Sequence, residues 1–166
     1  AALGVPVTEL TGPVDSGMFC LSKGLSAPVG SIIAGSKEFI ERARKFRKLL
    51  GGGMRQVGVL AAAGIVALEE MVDRLAEDHQ RAQRLAEGLS QVCGIKVADT
   101  NYRTNILLVD VEGTGLSAPE FSSRLKALGL WINPKSGTTL RIVVHRHIED
   151  SDVDRVIEAF REIAAS

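Results

Sequence analysis

A single lysine, Lys23, stands between the apolar run Met18-Phe19-Cys20-Leu21 and a following stretch of Gly, Ser and Pro. An ammonium ion in apolar surroundings is poorly solvated, and poor solvation favours the free amine. A lysine so placed is a usable nucleophile, able to condense with a carbonyl to form a Schiff base. The bland alternative is a solvated charge that marks the end of a strand. A second cation, Arg141, sits among Leu140, Ile142, Val143 and Val144. A lone charge in such a strand needs a partner. Three readings stand: a structural ion pair, a side chain facing out from an edge, or a fork that grips a carboxylate with two hydrogen bonds. Lys48 and Arg55 bracket Gly51-Gly52-Gly53. They read either as a solvated helix end or as cations beside a glycine turn open to close approach by a ligand or another backbone; the glycines themselves also suit a flexible linker. Ser22 and Ser26 flank the lysine as hydroxyl donors or as simple turn residues. His145 and His147 have a spacing seen among metal ligands, but no third ligand accompanies them and no metal is expected. His79 falls on an apolar helix face and reads as a structural histidine.

These residues need elements to hold them. Residues 5–10 predict a short strand before the turn Gly12-Pro13. Residues 17–21 predict a short buried strand that ends at Lys23, where Gly24 allows a tight departure. Residues 31–35 predict a second buried strand. Sites at the carboxyl ends of strands are usual in open α/β sheets. Ser36 suits the N-cap of a helix over residues 37–50, with Phe39, Ala43, Phe46 and Leu50 as its apolar stripe. A helical pattern then runs through residues 57–92. It starts small and apolar, hence buried, and becomes charged on one face later. A run this long suggests an element that links two domains. Beyond Gly94 the pattern is α+β, with strands at 95–98, 105–111, 130–133 and 138–144. Ser117-Ala118-Pro119-Glu120 is a capping box that opens one helix, and residues 151–164 form the last. The expected domains are therefore 1–56, 57–92 and 93–166.

Composition narrows the class. The chain has 166 residues, 45% of them hydrophobic, enough for a real core. Twenty basic and twenty acidic residues cancel, so neither a nucleic-acid surface nor a membrane-binding face is indicated. The apolar run 57–68 is too short to span a bilayer. Cys20 and Cys93 lack metal spacing and read as free thiols of a cytoplasmic protein. The chain does not begin with Met, and Ala1-Ala2-Leu3-Gly4 reads like the tail of a helix cut from something longer.

Two segments together carry a resemblance: Cys20-Leu21-Ser22-Lys23-Gly24-Leu25-Ser26-Ala27-Pro28-Val29-Gly30-Ser31 and Arg47-Lys48-Leu49-Leu50-Gly51-Gly52-Gly53-Met54-Arg55-Gln56. Their order and separation resemble low-specificity L-threonine aldolase. The similarity continues through Thr139-Leu140-Arg141-Ile142-Val143-Val144-His145. It implies an α/β chain: the end of a pyridoxal-phosphate fold-type-I large-domain sheet, a long linking helix and a small α+β C-terminal domain. It implies that Lys23 holds pyridoxal 5'-phosphate as a Schiff base and that Arg141 binds the α-carboxylate of the substrate. It makes Ser22, Lys48 and Arg55 cofactor-site residues, the last two reaching a neighbouring subunit's site in a homodimer or homotetramer. Val144 departs from the family's usual Thr, and Arg146-His147 from its commoner apolar-acidic pair. These departures bear on the support of Arg141 but do not remove it.

The implied reaction is cleavage of L-threonine or L-allo-threonine, a β-hydroxy-α-amino acid, to glycine and acetaldehyde. By the same resemblance the chain matches roughly the C-terminal half of such an enzyme. The family's Asp-Gly-Ala-Arg motif, its ring-stacking histidines and its phosphate loop belong to the N-terminal half of the same polypeptide. Other readings are another fold-type-I reaction (β-eliminating lyase, aminotransferase or serine hydroxymethyltransferase) and a non-catalytic piece that folds and assembles without turnover.

Overall fold

The computed structural model describes residues 1–99 and 104–166. They divide into two compact units, Leu3–Leu75 and Ala76–Ser166, apart from the first two residues.

The first unit opens with α1 (Val7–Thr11), a single turn. The sequence predicts a strand here, and the structure corrects it. Pro6 is held at φ −58° at the helix entrance, which favours helix initiation. Thr11 Oγ1 also donates to the Val7 carbonyl at 3.1 Å. Then β1 (Ser16–Cys20) pairs antiparallel with β2 (Ser31–Gly35), Cys20 lying opposite Ser31. Both strands form as expected, but neither is buried: Met18, Phe19, Ile32 and Ile33 are exposed. Their apolar faces have no cover among the described residues of this unit.

The next element, α2 (Lys37–Leu49), starts at Ser36, whose hydroxyl accepts from Phe39 N at 3.2 Å. Arg47 and Lys48 lie in its last turn, where cations complement the helix dipole. The long helical pattern of residues 57–92 resolves into α3 (Gly58–Glu70) and α4 (Leu75–Ser90). A turn closed by Leu75 N donating to the Val72 carbonyl at 3.1 Å separates them. Val72 and Asp73 are weak helix formers, and Glu77 and Asp78 in the first turn of α4 favour a fresh N-terminus there. The expected linking helix is thus two helices, and the unit boundary falls at the start of the second. The small, apolar α3 was expected to be buried, but only Gly64 and Ala67 are.

The second unit is an antiparallel sheet in the order β3-β4-β6-β5. Its strands are β3 (Lys96–Val97), β4 (Ile106–Asp110), β5 (Asn133–Ser136) and β6 (Thr139–Val143). Helices α4, α5 (Ala118–Ala127) and α6 (Asp150–Ala164) contribute to its core. Side chains alternate along β6, with Leu140 and Ile142 inward and Arg141 and Val143 outward. Phe121 and Phe160 are fully buried, with ring centroids 4.9 Å apart. The capping box forms: Ser117 N donates to Glu120 Oε2 at 3.0 Å and Glu120 N to Ser117 Oγ at 3.4 Å. These contacts hold the Glu120 carboxyl below its usual range. Arg81 and Arg84 of α4 pair with Asp150 of α6 at 3.3 and 3.6 Å. The strand expected at 130–133 starts later, as β5, because Pro134 is tolerated on this edge strand.

Candidate functional site

Lys23 lies in the loop between β1 and β2, and the loop is tied down on both sides of it. Leu21 N donates to the Gly30 carbonyl at 2.9 Å, and Ala27 N to the Leu21 carbonyl at 3.0 Å. Ser26 N donates to the Lys23 carbonyl itself at 2.8 Å. Leu21 and Ala27 are buried with Ala67 of α3. A methyl on Gly64 of α3 would lie 3.1 Å from Leu21 Cδ1, so the small face of α3 seats the loop. A methyl on Gly24 would meet Leu75 Cδ2 at 2.8 Å. A side chain at 24 would therefore require the Leu75 side chain to shift.

The Lys23 side chain is exposed and has no hydrogen-bond or ion-pair partner among the described residues. This corrects the expectation of a poorly solvated ammonium: β1 is itself uncovered, so its apolar residues cannot desolvate the amine. Ser22 is exposed beside it. Ser26 has φ +61°, and its hydroxyl donates to the Gly24 carbonyl at 3.4 Å, which gives it a turn role.

The triple glycine is a built turn, not a slack linker. Gly51 takes φ +78°, while methyls on Gly52 and Gly53 would come within 3.0 Å of Arg47 Cγ and 2.9 Å of Lys48 Cδ. The stem of Lys48 thus lies against Gly53. Arg55 is exposed and precedes Gln56 at φ +50°. Ser26 and Gln56 are the two non-glycine residues with positive φ among the described residues. Such backbone costs free energy and gathers at functional segments, and these two fall inside the two chemistry-bearing runs.

In the second unit, Arg141 sits on the outward face of β6, exposed and without a side-chain partner among the described residues. The structural ion pair considered from sequence is absent. Strand order places β6 inside the sheet, so Arg141 is a face residue and not an edge residue. Val144 is buried, alternating with Arg141 along the chain, and both residues line one cavity. Val144 N donates to the Asn105 carbonyl at 2.8 Å, and its own carbonyl accepts from Asn105 Nδ2 at 2.9 Å. Arg141, Trp131, Asn133, His145 and Arg155 line one cavity of about 540 Å³. His147 N donates to His145 Nδ1 at 3.3 Å. Trp131 and Asn133 fall within the strand expected at 130–133, and nothing in that pattern marks them as lining this cavity.

His79, on α4, is partly buried, and burial holds its imidazole below the usual histidine value. Cys20 and Cys93 are both free thiols. Among the described residues no helix is long and apolar enough to cross a membrane.

Residues 1–112 match the beta-eliminating lyase family. The chain belongs to that family. It is 47% identical over 162 residues to low-specificity L-threonine aldolase 1 of Arabidopsis thaliana, covering 97% of this chain and 45% of that one. It is 40% identical over 164 residues to the low specificity L-threonine aldolase of Escherichia coli K12, covering 99% and 47%. A Listeria monocytogenes crystal structure, provisionally assigned as an L-allo-threonine aldolase, superposes with a TM-score of 0.79 at 20% identity, covering 96% and 47%. The chain thus spans about half the length of the curated relatives it matches. Its fold is that of the fold-type-I enzymes, and the cofactor of this family is pyridoxal 5'-phosphate.

The residues present fit such a group chemically. Lys23 offers an unpaired primary amine for an aldehyde carbon, on a loop anchored at Leu21 and Ala27. Ser22 adds a hydroxyl, and Lys48 and Arg55 add cations suited to a phosphate. Lys23, Ser22, Lys48 and Arg55 belong to the first unit and Arg141 to the second.

Proposed function

We propose that the protein cleaves L-threonine and L-allo-threonine to glycine and acetaldehyde, as a pyridoxal-phosphate-dependent aldehyde-lyase. The observation that carries this reading is 47% identity over 97% of the chain to a plant low-specificity L-threonine aldolase. Lys23 holds the cofactor covalently between turnovers through its Nζ. Arg141 binds the substrate α-carboxylate as a fork and so orients the Cα–Cβ bond. Lys48 and Arg55 bind on the cofactor side from a neighbouring subunit, in a homodimer or homotetramer with shared sites. Ser22 donates to the phosphate. The bound cofactor supplies an electron sink for the charge left at Cα when the Cα–Cβ bond breaks.

The N-terminal half found in the relatives supplies the remaining groups, the base for the β-hydroxyl proton among them. It also covers the exposed apolar residues on the two faces of the β1–β2 pair, Met18 with Ile33 on one and Phe19 with Ile32 on the other, consistent with uncovered apolar patches marking interaction surfaces. The free thiols agree with a cytoplasmic protein of amino-acid metabolism, where threonine is degraded and glycine formed.

The family match favours one second reading, β-elimination, which expels the β-substituent together with the α-proton and, with water, leaves a keto acid and ammonia. The experiment that separates them supplies the full-length, cofactor-loaded protein with L-allo-threonine and no added keto acid or folate. Glycine and acetaldehyde in equal amounts are expected. A keto acid and ammonia instead would replace the aldolase reading with the lyase one.

A further inference from the structure

The carboxylate grip on the second unit has a second member that its sequence motif does not include. Asn133 of β5 lies directly opposite Arg141 of β6 in the antiparallel register. Residues paired in this way share a face, with Cβ atoms roughly 4.5–5.5 Å apart. Both line the same cavity of about 540 Å³ and both are exposed. Three of the neighbouring polar groups of that cavity are engaged, and the His147 ring packs edge-on to that of His145. Arg155 Nη2 donates to the Leu128 carbonyl at 2.7 Å, Asp152 Oδ2 accepts from Glu149 N at 2.9 Å, and His145 Nδ1 accepts from His147 N. The side chains of Asn133 and Arg141 have no such partner among the described residues. A register shift between Pro134 and Ser136 follows Asn133 directly. Bulges of this kind aim side chains next to active sites.

We propose that Asn133 is the second carboxylate-binding residue, its side-chain N–H donating to a substrate carboxylate oxygen already held by Arg141. This rests on the reading of Arg141 as the carboxylate fork. A carboxylate has about four acceptor positions. A guanidinium fork takes two of them, one on each oxygen, and leaves a further lone pair for a neutral donor alongside. A hydrogen bond to an ionised acceptor is about twice as strong as one to a neutral carbonyl, so an amide donor here favours carboxylate over carboxamide.

The test is calorimetric titration of the full-length, cofactor-loaded protein with glycine and with glycinamide, comparing wild type, Asn133→Ala, Asn133→Asp and Arg141→Ala. Asn133→Ala is expected to weaken glycine roughly tenfold, the scale of one hydrogen bond to a charged group. Asn133→Asp keeps the shape but opposes the carboxylate, so it is expected to weaken glycine roughly a hundredfold. Both variants should leave glycinamide within about twofold, a selectivity that a merely structural role would not produce. In turnover, Asn133→Ala should raise KM for L-threonine with kcat little changed. Equal losses for glycine and glycinamide would overturn the proposal. So would Asn133 variants that bind glycine normally while Arg141→Ala does not; the carboxylate reading of Arg141 would then survive. If Arg141→Ala also binds glycine normally, both fall.

Discussion

Phe160 of α6 is fully buried, while Phe19 of β1 is 41% exposed. The same contrast holds across the two units. In the second, Leu107, Val109, Leu125 and Leu140 close a continuous core between one face of the sheet and its helices. In the first, the buried cluster is only Leu21, Ala27 and Ala67, while Ile33, Phe46, Leu49, Val59 and Ile65 are exposed. Helix α3 makes the point most clearly. It is apolar on nearly every side, the pattern of a helix buried all round, yet it buries only Gly64 and Ala67. The second unit is stabilised by its own side chains. The first uses its few buried residues to hold one loop, the loop that carries Lys23. The apolar residues beside the lysine are in place, without cover among the described residues of this unit.

Core truncation should separate the two units most strongly. Phe160→Ala is expected to cost the second unit about 3–5 kcal/mol in urea unfolding of the chain, the usual range for a buried Phe. Phe19→Ala should cost the same chain less than about 1 kcal/mol, and markedly more in the full-length protein if its face is covered there. Similar costs at both positions in the chain alone would dissolve the contrast.

Packing under the lysine loop comes next. Gly24→Ala pushes a methyl against Leu75 Cδ2, and overpacking of this kind costs about 1–3 kcal/mol. It should raise proteolytic cleavage of the Lys23 loop while leaving hydrogen exchange in β4 and β6 unchanged. Exchange that rises equally in both units would mean that they unfold as one.

Ser117→Ala should cost about 1 kcal/mol through loss of the N-cap. It should also move the Glu120 carboxyl back toward its ordinary value, read by NMR titration, because the Ser117 contacts are what hold it low.

The smallest effect is at His79. Burial lowers its value in the folded chain, so the unfolded chain binds the proton more readily. Its contribution to stability is present above the ordinary histidine value near 6.5 and is lost as pH falls through the lowered one. His79→Asn should flatten the acid limb of a stability–pH profile between about pH 7 and 5.

Much of this was legible in the sequence where signals are local. Ser36 and Ser117 marked helix starts, Gly24 and the triple glycine marked tight backbone, and alternation around Arg141 marked a strand. The misreadings came where local signals conflict with longer-range ones. Residues 5–10 read as a strand before the turn Gly12-Pro13, but Pro6 instead stands at the entrance of a helical turn, Val7–Thr11. Residues 57–92 kept one apolar period across a turn that only the weak helix formers Val72 and Asp73 betrayed. Apolar content correctly announced β1, β2 and α3 as surfaces to be covered, but content alone does not say by what. Asn133 was hidden because its meaning depends on strand register, which places it beside Arg141 across β5 and β6.

The claim on which the account turns is that Lys23 is the covalent anchor of the cofactor. Borohydride reduction of the full-length protein as purified, followed by peptide mass mapping, tests it directly. A pyridoxyl group on Lys23 Nζ is the predicted result. A pyridoxyl group on another lysine, with Lys23 unmodified, would contradict it.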